Sequence, residues 1–157
     1  MHTKKSLQVA LYFLKLSESE NKPITNLKLQ KLVYYAQVWY FTTFNKKLFN
    51  ESIEAWIHGP AIPCLYRQFK AFGSDQIKLD DKLKAIQLDL TKSEERFLKN
   101  IWDVYGSYDA GYLEALTHSE LPWQHARTGL NMGDHSNEKI DLSLAKKFYA
   151  SKLSMAK

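Results

Sequence analysis

The stretch Leu27–Gly73 constrains this chain more than any other. Within it, Leu29, Leu32, Val33, Ala36 and Tyr40 fall on one helical face, and Val38, Trp39 and Phe41 fill the other. A helix that is apolar on nearly every side belongs in the interior of a domain. Crossing a membrane would take about 20 apolar residues in a row, and Lys28, Gln30, Lys31 and Gln37 interrupt this run. Thr25 is placed to cap the start, its side-chain oxygen accepting from an amide one turn in. Ile24 and Leu29 occupy the two positions of a hydrophobic staple. The pattern therefore predicts a central buried helix from Asn26 to Thr43.

The remaining pattern dresses that helix. Leu7, Ala10, Leu11 and Leu14 predict a first amphipathic helix over 5–16, closed by a polar loop and Pro23. Two short strands are predicted at 47–49 and 52–57, joined by Asn50 and Glu51. In the second, Ile53, Ala55 and Ile57 alternate with Glu54, Trp56 and His58. A two-stranded ribbon is marginal in water, and residues 85–90, with Ile86, Leu88 and Leu90 alternating, are the best third strand. Gly59-Pro60 reads as a sharp turn of structural rather than catalytic importance. Pro63 suits the first turn of a helix ending at Gly73. The segment 74–84 is charged and reads as a surface loop.

Thr91 and Glu94 form a capping-box signature ahead of Phe97, Leu98, Ile101, Trp102 and Tyr105. Shorter helices are expected over 109–117 and from Leu121-Pro122-Trp123 onward. Asp141 is placed to cap a last helix carrying Leu144, Phe148 and Leu153. At 157 residues the whole chain, 1–157, reads as one domain. Its predicted class is mainly α (α+β): a compact helical domain around a central buried helix, with a small antiparallel β-sheet.

Charge is uneven along the chain. Residues 1–50 hold 8 lysines against 2 acidic residues, whereas 51–100 balance 8 against 8 and 101–157 hold 6 basic against 7 acidic. A lysine-rich N-terminal third can mark a nucleic-acid surface, and it can equally be a solvated face on two helices. No arginine cluster or basic tail adds to the first reading. The single cysteine, Cys64, permits no intramolecular disulfide and no cysteine-based zinc site. With no secretory signal visible, this fits a reducing compartment, and the expected location is cytoplasmic.

Chemical motifs are sparse. The histidines are His2, His58, His118, His125 and His135, with no H-x-x-x-H pair. His118, Glu120 and His125 could meet around Pro122 only by a fortunate geometry, so no metal is expected. Cys64 near a helix start could be activated by a neighbouring base such as His58, but free cysteine more often packs as an inert thiol. Isolated glycines leave no phosphate-binding loop, and no G-x-S-x-G elbow occurs. Neither an enzyme nor a cofactor is expected. The aromatic residues, 13% of the chain, exceed the needs of a small helical core. They interleave with leucine and alanine rather than arginine, which favours protein contacts over stacking on bases.

Three segments in order, LQKLVYYAQVWYF, IEAWIHGPAIPCLYRQFKAFG and LTHSELPWQHAR, resemble the Panacea domain. That domain is found in phage-associated proteins and in antitoxins of toxin–antitoxin pairs. The resemblance covers residues 26–127. Gln30, Lys31, Tyr34 and Tyr35 match its helix signature, Trp56, His58, Gly59 and Pro60 its turn, and His118, Pro122 and Trp123 its late segment. It implies a mainly helical fold with a small sheet and direct neutralisation of a toxin encoded next door, of use in phage defence. Some relatives deliver the toxin to a protease as adaptors. No helix-turn-helix or zinc-finger module accompanies the domain, so operator binding is not implied. Lys28, Lys31 and Tyr35 are the candidate partner contacts: the lysines for steering an acidic toxin, Tyr35 as an anchor off the apolar stripe.

Overall fold

The computed structural model describes residues 3–155; His2 lies outside them. Helix α1 spans Lys5–Glu20 and α2 spans Asn26–Phe44. A hairpin of β1 (Glu54–Trp56) and β2 (Gly59–Ala61) leads into α3 (Pro63–Phe69). The short α4 (Asp81–Lys84) precedes α5 (Lys92–Tyr105), α6 (Ala110–His118), α7 (Leu121–Ala126) and α8 (Leu142–Met155). No helix among the described residues is long and apolar enough to cross a membrane.

Helix α2 is the axis of the molecule, touching α1, α3, α5, α6, α8 and β2. Its start is fixed as its sequence dictates: the Thr25 side chain accepts from the Lys28 amide, and the staple pair Ile24 and Leu29 is fully buried. Leu32, Val33, Tyr34, Tyr35, Ala36 and Val38 are likewise buried around its whole circumference. Packing on every side holds it, since isolated helices of this length are marginal in water. Helix α5 presents one stripe to the core, Leu98, Ile101, Trp102 and Tyr105, behind the complete Thr91–Glu94 capping box. Asp141 caps α8 by accepting from Ser143 and Leu144 amides.

Two strand expectations are corrected. Residues 47–49 are not a strand, because their backbone is taken by α2: the Gln37 side-chain oxygen accepts from Leu48 N and Gln37 Nε2 donates to Phe49 O. Residues 85–90 do not join the ribbon. Asp89 N donates to Gln8 of α1, and Lys15 of α1 reaches Ile86 O. The ribbon's outer edge is covered instead by residues 138–140, through Ala55 N to Glu138 O at 2.8 Å and Ile140 N to Ile53 O at 2.9 Å.

The Gly59-Pro60 turn is also relocated. Ile57 and His58 form the tip, and Gly59 and Pro60 begin β2, Trp56 opposing Gly59 and Ala55 opposing Pro60. A proline is tolerated inside this strand because Ala55 turns both its backbone groups away from it, the amide to Glu138 and the carbonyl to Arg127 Nη1. The first helix runs one turn beyond its predicted end, to Glu20, and Asn21 closes it with a left-handed backbone.

Candidate functional site

The polar residues of α2 clamp the hairpin. Gln30 accepts from Ile62 N at 2.9 Å while its amide donates to Asn26. Lys31 extends beneath β2 and donates to Pro60 O at 3.0 Å. Gly59 leaves the room for it. A Cβ there would lie 2.6 Å from Lys31 Cε and 2.8 Å from Thr117 Oγ1, and its φ of +105° is one that other residues rarely adopt. Burial pushes the Lys31 ammonium down to about 7, with Glu114 pulling the other way. Glu114 itself holds the exposed His58 at 2.6 Å.

The late segment closes over the same hairpin. Pro122 sits in the first turn of α7, where its missing amide costs nothing. Trp123 Nε1 donates to Trp56 O at 2.8 Å, and the His118 ring stacks on Trp123 at 4.0 Å between centroids. His118 Nε2 is buried without a hydrogen-bond partner, and burial holds that imidazole below its ordinary pKa. Glu120 turns inward to a phenol network. Tyr35 donates to it at 2.7 Å and Tyr149 at 2.9 Å, and Tyr34 bonds the Tyr149 hydroxyl at 2.9 Å. Tyr35 also stacks on Tyr105 at 4.1 Å, and Tyr105 receives the Trp39 indole N–H. Burial, then the Glu120 charge, raises the Tyr35 hydroxyl far above the usual phenol range. Burial raises Glu120 too, against the two phenol bonds that lower it.

All eleven signature positions thus fall in one contiguous junction of α2, hairpin and α6–α7. Most of them bond or pack between elements, whereas His58 is exposed and held by Glu114. Lys31 and Tyr35 do not project from the surface as partner contacts would, whereas Lys28 is largely covered but lines an open groove. Tyr35 and Lys31 are buried, and Lys28 is 6% exposed, its Nζ donating to Gly106 O at 2.6 Å. The cause is the encircling packing of α2, which leaves no free face on which an off-stripe residue could lie. His118 and Glu120, considered together for a metal, face different partners, a tryptophan ring and two phenols. Cys64 is half-buried with Ser6 Oγ at 3.9 Å, while His58 is engaged by Glu114.

Sequence reasoning overlooked three contributors. Arg127 is buried, donating to Ala55 O and to the carbonyls of Asn131, Met132 and Asp134, with Trp123 against its guanidinium. Thr117 closes on Gly59. Tyr149 completes the phenol network from 29 residues beyond Glu120. The spacing of Arg127 after Trp123 was the one available signal; Tyr149 sits in an ordinary amphipathic helix and carried none.

The geometry defines a helical scaffold domain built around a clamped hairpin, with most of its polar signature turned inward. The model of the antitoxin SocA-like, Panacea-domain family matches residues 29–124, and the chain belongs to that family. Antitoxin SocA of Caulobacter vibrioides (strain NA1000 / CB15N) is 44% identical over 55 residues, which cover 35% of this chain and 29% of that protein. The chain thus matches less than a third of that relative's length. No solved structure matches.

Proposed function

We propose that this protein is an antitoxin that neutralises a protein toxin by direct, non-covalent contact. The family match over residues 29–124 carries this reading. The site geometry supports it, because the signature side chains are spent on holding the scaffold and recognition falls to surface residues around it. A folded domain of this kind acts by covering the toxin's active surface or by holding an inactive conformer. Delivery of the bound toxin to a protease would use the same contact. The lysine-rich N-terminal third favours protein over nucleic acid once placed. Lys28 and Lys31 are buried, Lys5 pairs with Glu94, Lys22 with Glu20, and Lys15 is bonded to Ile86 O, so five of its eight lysines are committed to contacts within the fold.

Co-expression with the adjacent gene tests the reading. Growth should be restored, and the two proteins should co-purify from low through high salt. Restored growth without any complex, or a complex that dissolves steeply as salt rises, would sink direct neutralisation and favour detoxification or repression instead.

A further inference from the structure

The one corner that combines an open groove, a desolvated charge and exposed aromatic rings lies where the α1–α2 loop meets the α5–α6 turn. A groove of about 400 Å³ runs between Lys22, Pro23 and Lys28 on one side and Gly106, Tyr108 and Asp109 on the other. Its walls are largely apolar. At its base sits the Lys28 ammonium, which has three donors and a single acceptor, Gly106 O. Among the described residues no carboxylate lies within 4 Å of it. The Trp102 ring lies 5.8 Å away and Lys22 reaches over the same ring at 6.0 Å. Lys22 is already paired with Glu20 and donates to Ser107. The Asp109 carboxylate is likewise committed, capping α6 by accepting from Tyr112 N at 2.8 Å. At the rim, Tyr108 and Tyr112 stack on each other at 4.3 Å, yet they are 39% and 50% exposed.

We infer that this groove is the toxin-docking site, receiving an acidic side chain of the toxin against Lys28 while flanking apolar residues of the same segment cover the Tyr108–Tyr112 stack. The inference rests on the antitoxin reading above. A desolvated ammonium without a counter-charge is unfavourable, and a docked carboxylate supplies both the charge and the missing acceptors. Removal of surrounding water then strengthens that bond. The apolar walls and paired rings suit a protein segment, with tyrosine as anchor. A polyanionic strand would bring further phosphates against Asp109. Burial lowers the Lys28 pKa in the free protein, with Lys22 adding to it and Asp109 opposing, and a docked carboxylate would reverse that shift.

The test measures affinity for the purified product of the adjacent gene, using the full chain. Lys28→Met keeps the aliphatic stem in place, and Tyr112→Ala alters an exposed ring, so the fold survives even if Lys28→Met is poorly tolerated. Each should weaken binding at least tenfold with an unchanged circular dichroism spectrum. Lys46→Met, at an exposed position just past the far end of α2, should bind as wild type. A wild-type complex indifferent to both Lys28→Met and Tyr112→Ala overturns this site and leaves the antitoxin reading standing. No wild-type complex at all overturns both. A free protein that light scattering shows to be a dimer, dissolved by Tyr112→Ala, would assign the groove to a second copy and also overturn the proposal.

Discussion

The junction of α2 with the hairpin and the α6–α7 turn is closed on itself, whereas the corner between α5 and α6 is open. In the junction, Lys31 has its carbonyl, Glu120 its two phenols and Trp123 its backbone acceptor. At the corner, Lys28 likewise has one carbonyl acceptor, but it lines an open groove, and two tyrosines stack in water. Both regions hold a buried lysine from the same helix, three residues apart and so on neighbouring faces. The contrast separates what makes the domain recognisable from what lets it recognise. A densely bonded junction tolerates little change; an open corner can vary with its partner while the scaffold persists.

The largest effect should come from breaking the closed region at Gly59. In Gly59→Val the new Cβ meets Lys31 Cε and Thr117 Oγ1 at under 3 Å, and the backbone sits at a φ of +105°. Strain and overpacking together should cost about 3–5 kcal/mol, a large share of a typical domain's stability. Folded yield should collapse. A soluble Gly59→Val with unchanged melting would show that the hairpin is looser than the clamp implies.

Next in size is a pH dependence written into Lys31. Its ammonium is pushed down to about 7 in the folded chain from an ordinary 10.5. Between those values the unfolded state binds the proton and the folded state does not, so stability rises with pH across that window. Below about 7 both states are protonated and the contribution is flat. Lys28 is shifted the same way. Above 10 the raised phenols of Tyr34, Tyr35 and Tyr149 oppose the trend, because unfolded tyrosines ionise first. Denaturant melts should therefore strengthen from pH 7 to about 9.5, by up to about 1.4 kcal/mol per unit from Lys31, then weaken. Lys31→Met should flatten most of the rise; an unaltered slope would place the titration elsewhere.

Tyr35→Phe should cost about 2 kcal/mol, the worth of a hydrogen bond to a charged group. The ring keeps its stack on Tyr105, and Glu120 keeps Tyr149. Toxin affinity should stay within twofold of wild type. A tenfold loss of binding at full stability would return Tyr35 to the interface.

Much of the scaffold was legible because local chemistry and packing agree along it. The Thr25 cap, the Ile24–Leu29 staple, the Thr91–Glu94 box and Pro63 at a helix start each follow from short-range rules, and the longer helices appear where their apolar period places them, whereas the short α4 lies in the segment read as a surface loop. The sheet was less legible because its pairing is long-range: nothing local in residues 138–140 announces a partner for Ile53 and Ala55. The reading also failed on exposure. Tyr35 departs from the α2 stripe, and periodicity places such a residue in solvent, but α5 and α8 cover that face too. Of the corner, Lys28 was among the candidate partner contacts, and its two tyrosines escaped for the opposite reason. Tyr108 and Tyr112 look like ordinary aromatic residues flanking a short helix, and only the chain's folding brings them beside a lysine 80 residues earlier.

The smallest effect on stability, and the sharpest division between the two regions, should come from Tyr112→Ala. The ring is half exposed and its one aromatic partner, Tyr108, is itself solvated. Losing an exposed stack costs about 1 kcal/mol or less, and the Asp109 cap on the Tyr112 amide is a backbone contact that survives the change. Melting should move by only a few degrees. In a complex the same ring would be desolvated, so its truncation removes apolar contact made only when the toxin is bound. Measured side by side, Tyr35→Phe should lower stability with binding intact, and Tyr112→Ala should lower binding with stability intact. If both variants lose stability and binding together, scaffold and recognition surface are one cooperative unit, and the separation drawn between junction and corner fails.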